Sequence, residues 1–217
     1  MTAPSLRLVK TARVPQAGVP AVVSWSLAGS PHGLRRYDLQ VQQDGGAFRP
    51  VGLAFGRATS RAVTLQAGRS ITYRVRAVDT AGHAGAWKSV GPGVGLDISD
   101  ASSSITWQGP WSSIALKAYL GGTGHSTGAR GATATLRFSG SSVAWVGPMG
   151  PTRGKAQVYI DDRLVATVDL WAASFHPRRI VFSASLRSGA HTLVIKALGT
   201  AGRSTVNVDS IYVIQPE

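Results

Sequence analysis

Residues 138–171 read FSGSSVAWVGPMGPTRGKAQVYIDDRLVATVDLW. Short runs of β-branched and aromatic residues alternate with Gly, Pro and Asp-Asp breaks, and no helical period appears. The runs KAQVYI (155–160) and LVATVDL (164–170) flank Asp161-Asp162, which predicts a tight hairpin turn between two strands. Working outward, strands are expected at Ile105–Trp107, Ala115–Leu120, Ala132–Phe138, Val143–Gly147, Lys155–Ile160, Leu164–Leu170, Ile180–Leu186, Thr192–Leu198 and Val206–Val213. That many strands in about 120 residues predict a two-sheet jelly roll.

The first half alternates with period two. Ala21, Val23 and Trp25 share a face, as do Tyr37, Leu39 and Val41, and as do Ile71, Tyr73, Val75 and Ala77. Such strands belong to antiparallel sheets with one dry face. Turn signals separate them at Gly29–Gly33, Asp44-Gly45-Gly46, Gly68 and Thr80–Gly85. The fold class expected is therefore all-β: two tandem antiparallel β-sandwiches, residues 1–93 and 94–217. The short Gly- and Pro-rich segment Val90–Asp97 reads as their linker.

Composition agrees. The chain has 217 residues, 43% hydrophobic, with 26 Gly and 11 Pro, enough for two cores rich in turns. Its lack of cysteine excludes zinc ribbons, iron–sulfur sites and thiol nucleophiles. No apolar run approaches the roughly 20 residues of a transmembrane helix. The start, MTAPSLRLVK, lacks the apolar core of a signal peptide. With both halves reading as accessory modules, the expectation is a monomeric segment of a longer secreted or wall-associated protein.

The net charge of +13 lies mostly in the first half, where 12 Lys and Arg face three Asp before residue 96. The basic residues are scattered along strands without a block. They read as a solvated face, or alternatively as weak attachment to an anionic polymer. Nothing matches the motifs of specific nucleic-acid readers.

Several positions in Ala12–Pro92 resemble a fibronectin type III domain: Trp25, Tyr37, and the strand Ile71-x-Tyr73-x-Val75-x-Ala77-x-Asp79 followed by Gly82 and Trp87. Ile71 stands where that family usually places its tyrosine-corner residue. The resemblance implies a spacer or interaction domain, with Trp25, Tyr37, Tyr73 and Trp87 in packing roles and His32 and His83 in solvated turns.

The second half is similar to galactose-binding-like jelly rolls, which include families of carbohydrate-binding modules. The matching positions are Tyr119-x-Gly121-Gly122, Gly131-Ala132, Phe138-x-Gly140-x-x-Val143, Gly154-x-x-x-Val158-Tyr159-Ile160-Asp161, Leu186-x-x-Gly189-x-His191-Thr192 and Val208-Asp209-x-Ile211. The resemblance implies a polysaccharide or cell-wall glycan as partner, outside the cell. It also implies a structural calcium ion, for which Asp97, Asp100 and Asp209 are the candidate ligands.

A glycan is held by laying the apolar face of a sugar on an aromatic ring while polar neighbours bond its hydroxyls. Trp145 alternates with Val143 and belongs in the core; Tyr119 is ambiguous. Trp107 and Trp111 flank Gly109-Pro110, while Trp171 leads into a loop carrying Phe175, His176, Arg178 and Arg179. The Gly-rich Gly121–Ala132 lacks a Gly-Lys-Ser/Thr ending and reads as a rim loop offering His125 and Arg130. The candidate ligand-binding residues are thus Trp171, Phe175, His176, Trp107, Trp111, His125 and Arg130.

No enzyme is expected. There is no Gly-x-Ser-x-Gly, the only Glu is Glu217, and Ser126, His125 and Asp169 would have to be gathered from separate segments to make a triad. The sequence therefore points to a non-catalytic segment binding carbohydrate through its second domain. The alternative is a structural or adhesive stalk that contacts protein without sugar.

Overall fold

The computed structural model describes residues 2–10, 13–16, 18–27 and 33–216. Among them are sixteen strands and one 3-10 turn, and no α-helix. The first half contributes β1 (Ser5–Leu8), β2 (Val19–Ser24), β3 (Leu34–Gln43), β4 (Arg49–Val51), β5 (Ser60–Leu65) and β6 (Ser70–Asp79). Next come β7 (Lys88–Ser99), β8 (Ile105–Gln108), β9 (Ser112–Ala115), the 3-10 turn Leu120–Gly122, β10 (Thr123–Thr127), β11 (Thr133–Met149) and β12 (Lys155–Ile160). The last are β13 (Arg163–Asp169), β14 (His176–Ala197), β15 (Val206–Val208) and β16 (Ser210–Pro216). Every strand pairing is antiparallel, so the chain is an all-β sandwich protein.

The Asp161-Asp162 hairpin forms as expected. Both residues lie in the left-handed region, at φ 49° and 63°, as a type I′ turn requires. Asp161 secures the turn by accepting hydrogen bonds from Thr192 N–H (2.9 Å) and from His191 Nδ1 (2.7 Å).

β11 organises the second half. Its first part lies between β8 and β14, and its second part between β16 and β14. The change of neighbour falls at Gly140, where a Cβ would come within 2.8 Å of Val213 Cγ1 and 2.9 Å of the Ile214 carbonyl. Leu136 before the bend and Trp145 after it share one core with Val158, Leu193, Ile195, Val208, Ile211 and Val213, so the folded ribbon encloses that core as a sandwich.

Strands β11 and β16 are buried on both faces. Val143 and Trp145 face the first core; Ala144 and Val146 face a second one. In β16, Ile211 and Val213 face the first core, while Tyr212 and Ile214 face the second. Strands buried on two sides read as unbroken apolar runs, as VAWV (143–146) and IYVI (211–214) do. The second core is completed by Val14, Val19, Val23, Trp25, Tyr37, Leu39, Tyr73 and Val75, which makes it common property of the two halves.

Four expectations need correction. Val90–Asp97 is not a linker: it lies within β7, which pairs with β6 through its first part and with β16 through its second. One ten-stranded sheet therefore runs β13-β12-β14-β11-β16-β7-β6-β3-β4, with β8 beside β11. Ala115–Leu120 is not a strand, because the chain turns at Leu116, whose carbonyl accepts the Tyr119 N–H at 2.8 Å. Gly121–Ala132 is not wholly a loop, since Thr123–Thr127 forms β10 between β9 and β15. Val206–Val213 is two strands, interrupted at Asp209. His32 and most of the Gly29–Gly33 turn lie outside the described residues.

In the first half Trp25, Tyr37 and Tyr73 are buried, with Trp25 and Tyr37 edge to face at 5.8 Å. Trp87 packs on the outer face instead, with the Arg74 and Arg76 guanidinium groups 4.5 and 4.6 Å from its ring centre.

Candidate functional site

The loop between β13 and β14 carries Trp171 and Phe175, while His176, Arg178 and Arg179, expected in that loop, belong to the first residues of β14. Leu170 is fully buried and anchors its start, accepting the Gly150 N–H at 3.0 Å and donating its own N–H to Gly154 O at 3.0 Å. The Trp171 N–H donates to Asp169 Oδ1 at 3.0 Å. Arg203 grips the same carboxylate through both terminal nitrogens, at 2.6 and 2.9 Å, and holds the Asp169 carboxyl below its usual range. On this fixed base Trp171 stands 52% exposed and Phe175 42% exposed. His176 Nε2 pairs with Ser174 Oγ at 3.0 Å.

Beneath Phe175 lies a buried polar cluster. The Phe175 ring sits 6.5 Å from the Tyr119 ring, and the Arg153 guanidinium lies 5.6 Å from the Phe175 centroid. Tyr119 reaches this position because residue 124 is Gly: a Cβ there would come within 2.8 Å of its ring. Burial pushes the Tyr119 hydroxyl pKa up, with neighbouring Arg153 pulling the other way. Asn207 lies in β15 and Asp209 at the break between β15 and β16, and neither is exposed at all. Arg179 pairs with Gly147, which lies against the Asn207 carbonyl, and Arg178 is the basic neighbour of Asp209.

Among the described residues, eight side-chain atoms of this cluster and of the adjacent Arg179 are buried without a hydrogen-bond partner: Tyr119 Oη, Arg153 Nε, Arg178 Nε and Nη1, Arg179 Nε, Asn207 Nδ2 and Oδ1, and Asp209 Oδ2. Leaving one such group unpaired costs about 1–3 kcal/mol, so a concentration of them calls for a specific explanation. Arg178 adds backbone strain, at φ 53° in a buried position. That conformation costs a non-glycine residue about 1–2 kcal/mol, and strain of this kind gathers at functional sites.

The other expected aromatics form a separate group. Trp107 lies in β8 and stacks face to face on His125 of β10, 4.2 Å between centroids and 9° between planes; Trp111 meets Trp107 at 4.8 Å. His125 Nδ1 bonds Asp100 Oδ2 at 3.0 Å, and Asp100 Oδ1 accepts from Thr123 Oγ1 at 2.9 Å. One Trp107 face is thus occupied by the protein's own imidazole, and the indole edges pack on the first core. Arg130 is exposed in the turn after β10, its backbone against Gly199. Among the described residues, no ring contact or hydrogen bond links Trp107, Trp111, His125 or Arg130 to the Trp171–His176 loop.

Asp97, Asp100 and Asp209 are neighbours but do not fit a calcium ion. The Ser210 hydroxyl donates to Asp97, Thr123 and His125 occupy Asp100, and Asp209 accepts the Leu120 N–H at 2.9 Å. Among the described residues no three His, Asp or Glu side chains converge at metal-ligand spacing. Burial, reinforced by Asp100 and Asp97, pushes the Asp209 pKa up to about 7. Nor do His125 and Asp169 meet: their partners are Asp100 and Arg203.

Sequence reasoning did not assign Arg153, Arg178, Arg179 or Asn207 to a site. The available signal was Asn207 and Asp209 interrupting the apolar run VNVDSIYVI.

Comparison with protein-family profiles finds no match. Two curated proteins of Flavonifractor plautii are similar to part of the chain. "A type blood N-acetyl-alpha-D-galactosamine deacetylase" is 26% identical over 100 residues, 46% of this chain and 13% of its own length. "A type blood alpha-D-galactosamine galactosaminidase" is 28% identical over 98 residues, 45% of this chain and 9% of its own length. The chain therefore corresponds to a small fraction of either relative. Among solved structures, a family 35 carbohydrate binding module from an environmental isolate superposes with a TM-score of 0.44 at 17% identity, over 56% of this chain and 97% of that one.

Proposed function

We propose that the chain is a non-catalytic, glycan-binding segment of an extracellular protein, with the sugar held at the Trp171–His176 loop. The observation that carries this reading is that two exposed rings, Trp171 and Phe175, stand on one short loop, with Phe175 over Tyr119 and Arg153, which carry buried unpaired polar atoms. An aromatic platform beside polar groups is the arrangement a saccharide needs. The names of the two relatives, a deacetylase and a galactosaminidase acting on galactosamine sugars, are in keeping with a saccharide ligand.

In this reading the second half, from about residue 94, is the jelly roll that binds, and the first half is a fibronectin type III-like spacer. The spacer reading is supported by the strand order β1-β2-β5 facing β4-β3-β6-β7, a two-sheet sandwich of seven strands. The continuity of β7 makes that spacer a rigid support.

The test is a polysaccharide pull-down and glycan array with the wild-type chain, Trp171→Ala and Phe175→Ala. Each variant is checked for wild-type circular dichroism, so that a loss of retention reports on the missing ring. Wild type retained by a glycan, with each variant at least tenfold weaker, supports the reading. Equal retention of wild type and variants removes the loop as the site, and retention of nothing removes glycan binding.

A further inference from the structure

We infer that the cluster under Phe175 selects a saccharide carrying an anionic oxyacid group, carboxylate or sulfate, through Arg178 and Arg153. This deepens the glycan-binding reading of the loop above and rests on it.

The first argument is the balance of unmet hydrogen bonds. Of the unpartnered atoms on Tyr119, Arg153, Arg178, Asn207 and Asp209, five carry a proton to donate, Asn207 Oδ1 only accepts, and the Asp209 carboxyl does either according to its protonation. A neutral sugar brings hydroxyls, each of which must itself donate as well as accept. A carboxylate or sulfate brings acceptors alone, which matches the surplus of donors. Asp209 Oδ2 and Asn207 Oδ1 then remain for adjacent sugar hydroxyls.

The second argument is charge. Among the described residues, neither Arg153 nor Arg178 forms an ion pair. A buried guanidinium without a paired counter-ion is costly, and Arg178 lies buried without one. An incoming anion supplies the missing charge in a desolvated place, where charge-assisted hydrogen bonds are about twice as strong as neutral ones. Arg178 is held there against its backbone preference, and its carbonyl is pinned by the Val14 N–H at 2.8 Å.

The third argument is access. The cluster is capped by Phe175, itself exposed, and by the partly exposed Arg153. Entry of a ligand requires these two side chains to turn aside. Phe175 then serves as both cover and platform.

The experiment compares matched polymers: polygalacturonate with its carboxyl-reduced product, and a sulfated galactan with its desulfated product. Affinities for the whole chain are measured by titration calorimetry at fixed ionic strength. The wild type is expected to bind a charged member at least tenfold tighter than its neutral counterpart, and the pair showing this identifies the anion. Arg178→Met and Arg153→Met, both checked for wild-type circular dichroism, are expected to abolish the preference. Arg163→Gln, an exposed charge at the start of β13, at the opposite end of that strand from the loop, is expected to keep it. Equal affinity for charged and neutral members overturns the inference while leaving glycan binding in place; binding to none of the four under conditions where the array also fails removes both. If Arg163→Gln loses as much as Arg178→Met, general charge is the cause and the inference falls.

Discussion

Because β7 belongs to both halves and the second core draws side chains from both, the chain should unfold as one cooperative unit. Leu39→Ala tests this from the first half. Leu39 is 2% exposed in β3, within the core that also holds Val146, Tyr212 and Ile214. A buried Leu→Ala costs about 2–5 kcal/mol. In a cooperative unit of this size each kcal/mol lowers Tm by roughly 2–4 °C, so a fall of about 4–20 °C is expected. Ile195→Ala, fully buried in the first core, is expected to move the same transition. Scanning calorimetry, with tryptophan fluorescence and far-ultraviolet circular dichroism as coincident probes, reads both variants. Two transitions, one moved only by Leu39→Ala and the other only by Ile195→Ala, would refute the shared-core argument.

Asp162→Gly should raise stability by about 1 kcal/mol, because Asp162 sits at φ 63° where glycine fits without strain; an unchanged or lower Tm contradicts this. The Asp209 carboxyl, near 3.9 in an unfolded chain and about 7 when folded, makes the folded state bind more protons between those values. Stability should therefore fall as pH rises from about 4 to about 7. Asp209→Asn keeps an acceptor for the Leu120 N–H and should flatten that decline in denaturant melts across the range; an identical slope in the variant would exclude Asp209 as its source. Gly140→Val should lose about 1–3 kcal/mol through overpacking against Val213 and the Ile214 carbonyl, read as a lower urea midpoint.

Much of the all-β fold was legible because strand periodicity and turn chemistry are local. KAQVYI and the Asp161-Asp162 turn form as the residues dictate, and Trp145 is buried as its alternation with Val143 implies. What lay hidden was non-local. The segment VGPGVGLD has the composition of a linker, yet pairing with β6 and β16 makes it a strand. The runs VAWV and IYVI did carry the sign of two-sided burial, since neither leaves a polar face for solvent. At the candidate site the loop residues Trp171 and Phe175 announced themselves by position. Arg153, Arg178, Arg179 and Asn207 did not, because what distinguishes them is the lack of partners, which only the folded packing reveals. Trp107 and His125 were read as loop groups free to meet a ligand, but they spend their faces on each other.

The most direct test of the account follows the six tryptophan indole N–H signals by two-dimensional NMR while the chain is titrated with the best-binding glycan from the array. The account predicts that the Trp171 signal shifts saturably while those of Trp25, Trp87 and Trp145 stay in place. A saturable shift of Trp107 and Trp111 with Trp171 unmoved would contradict it.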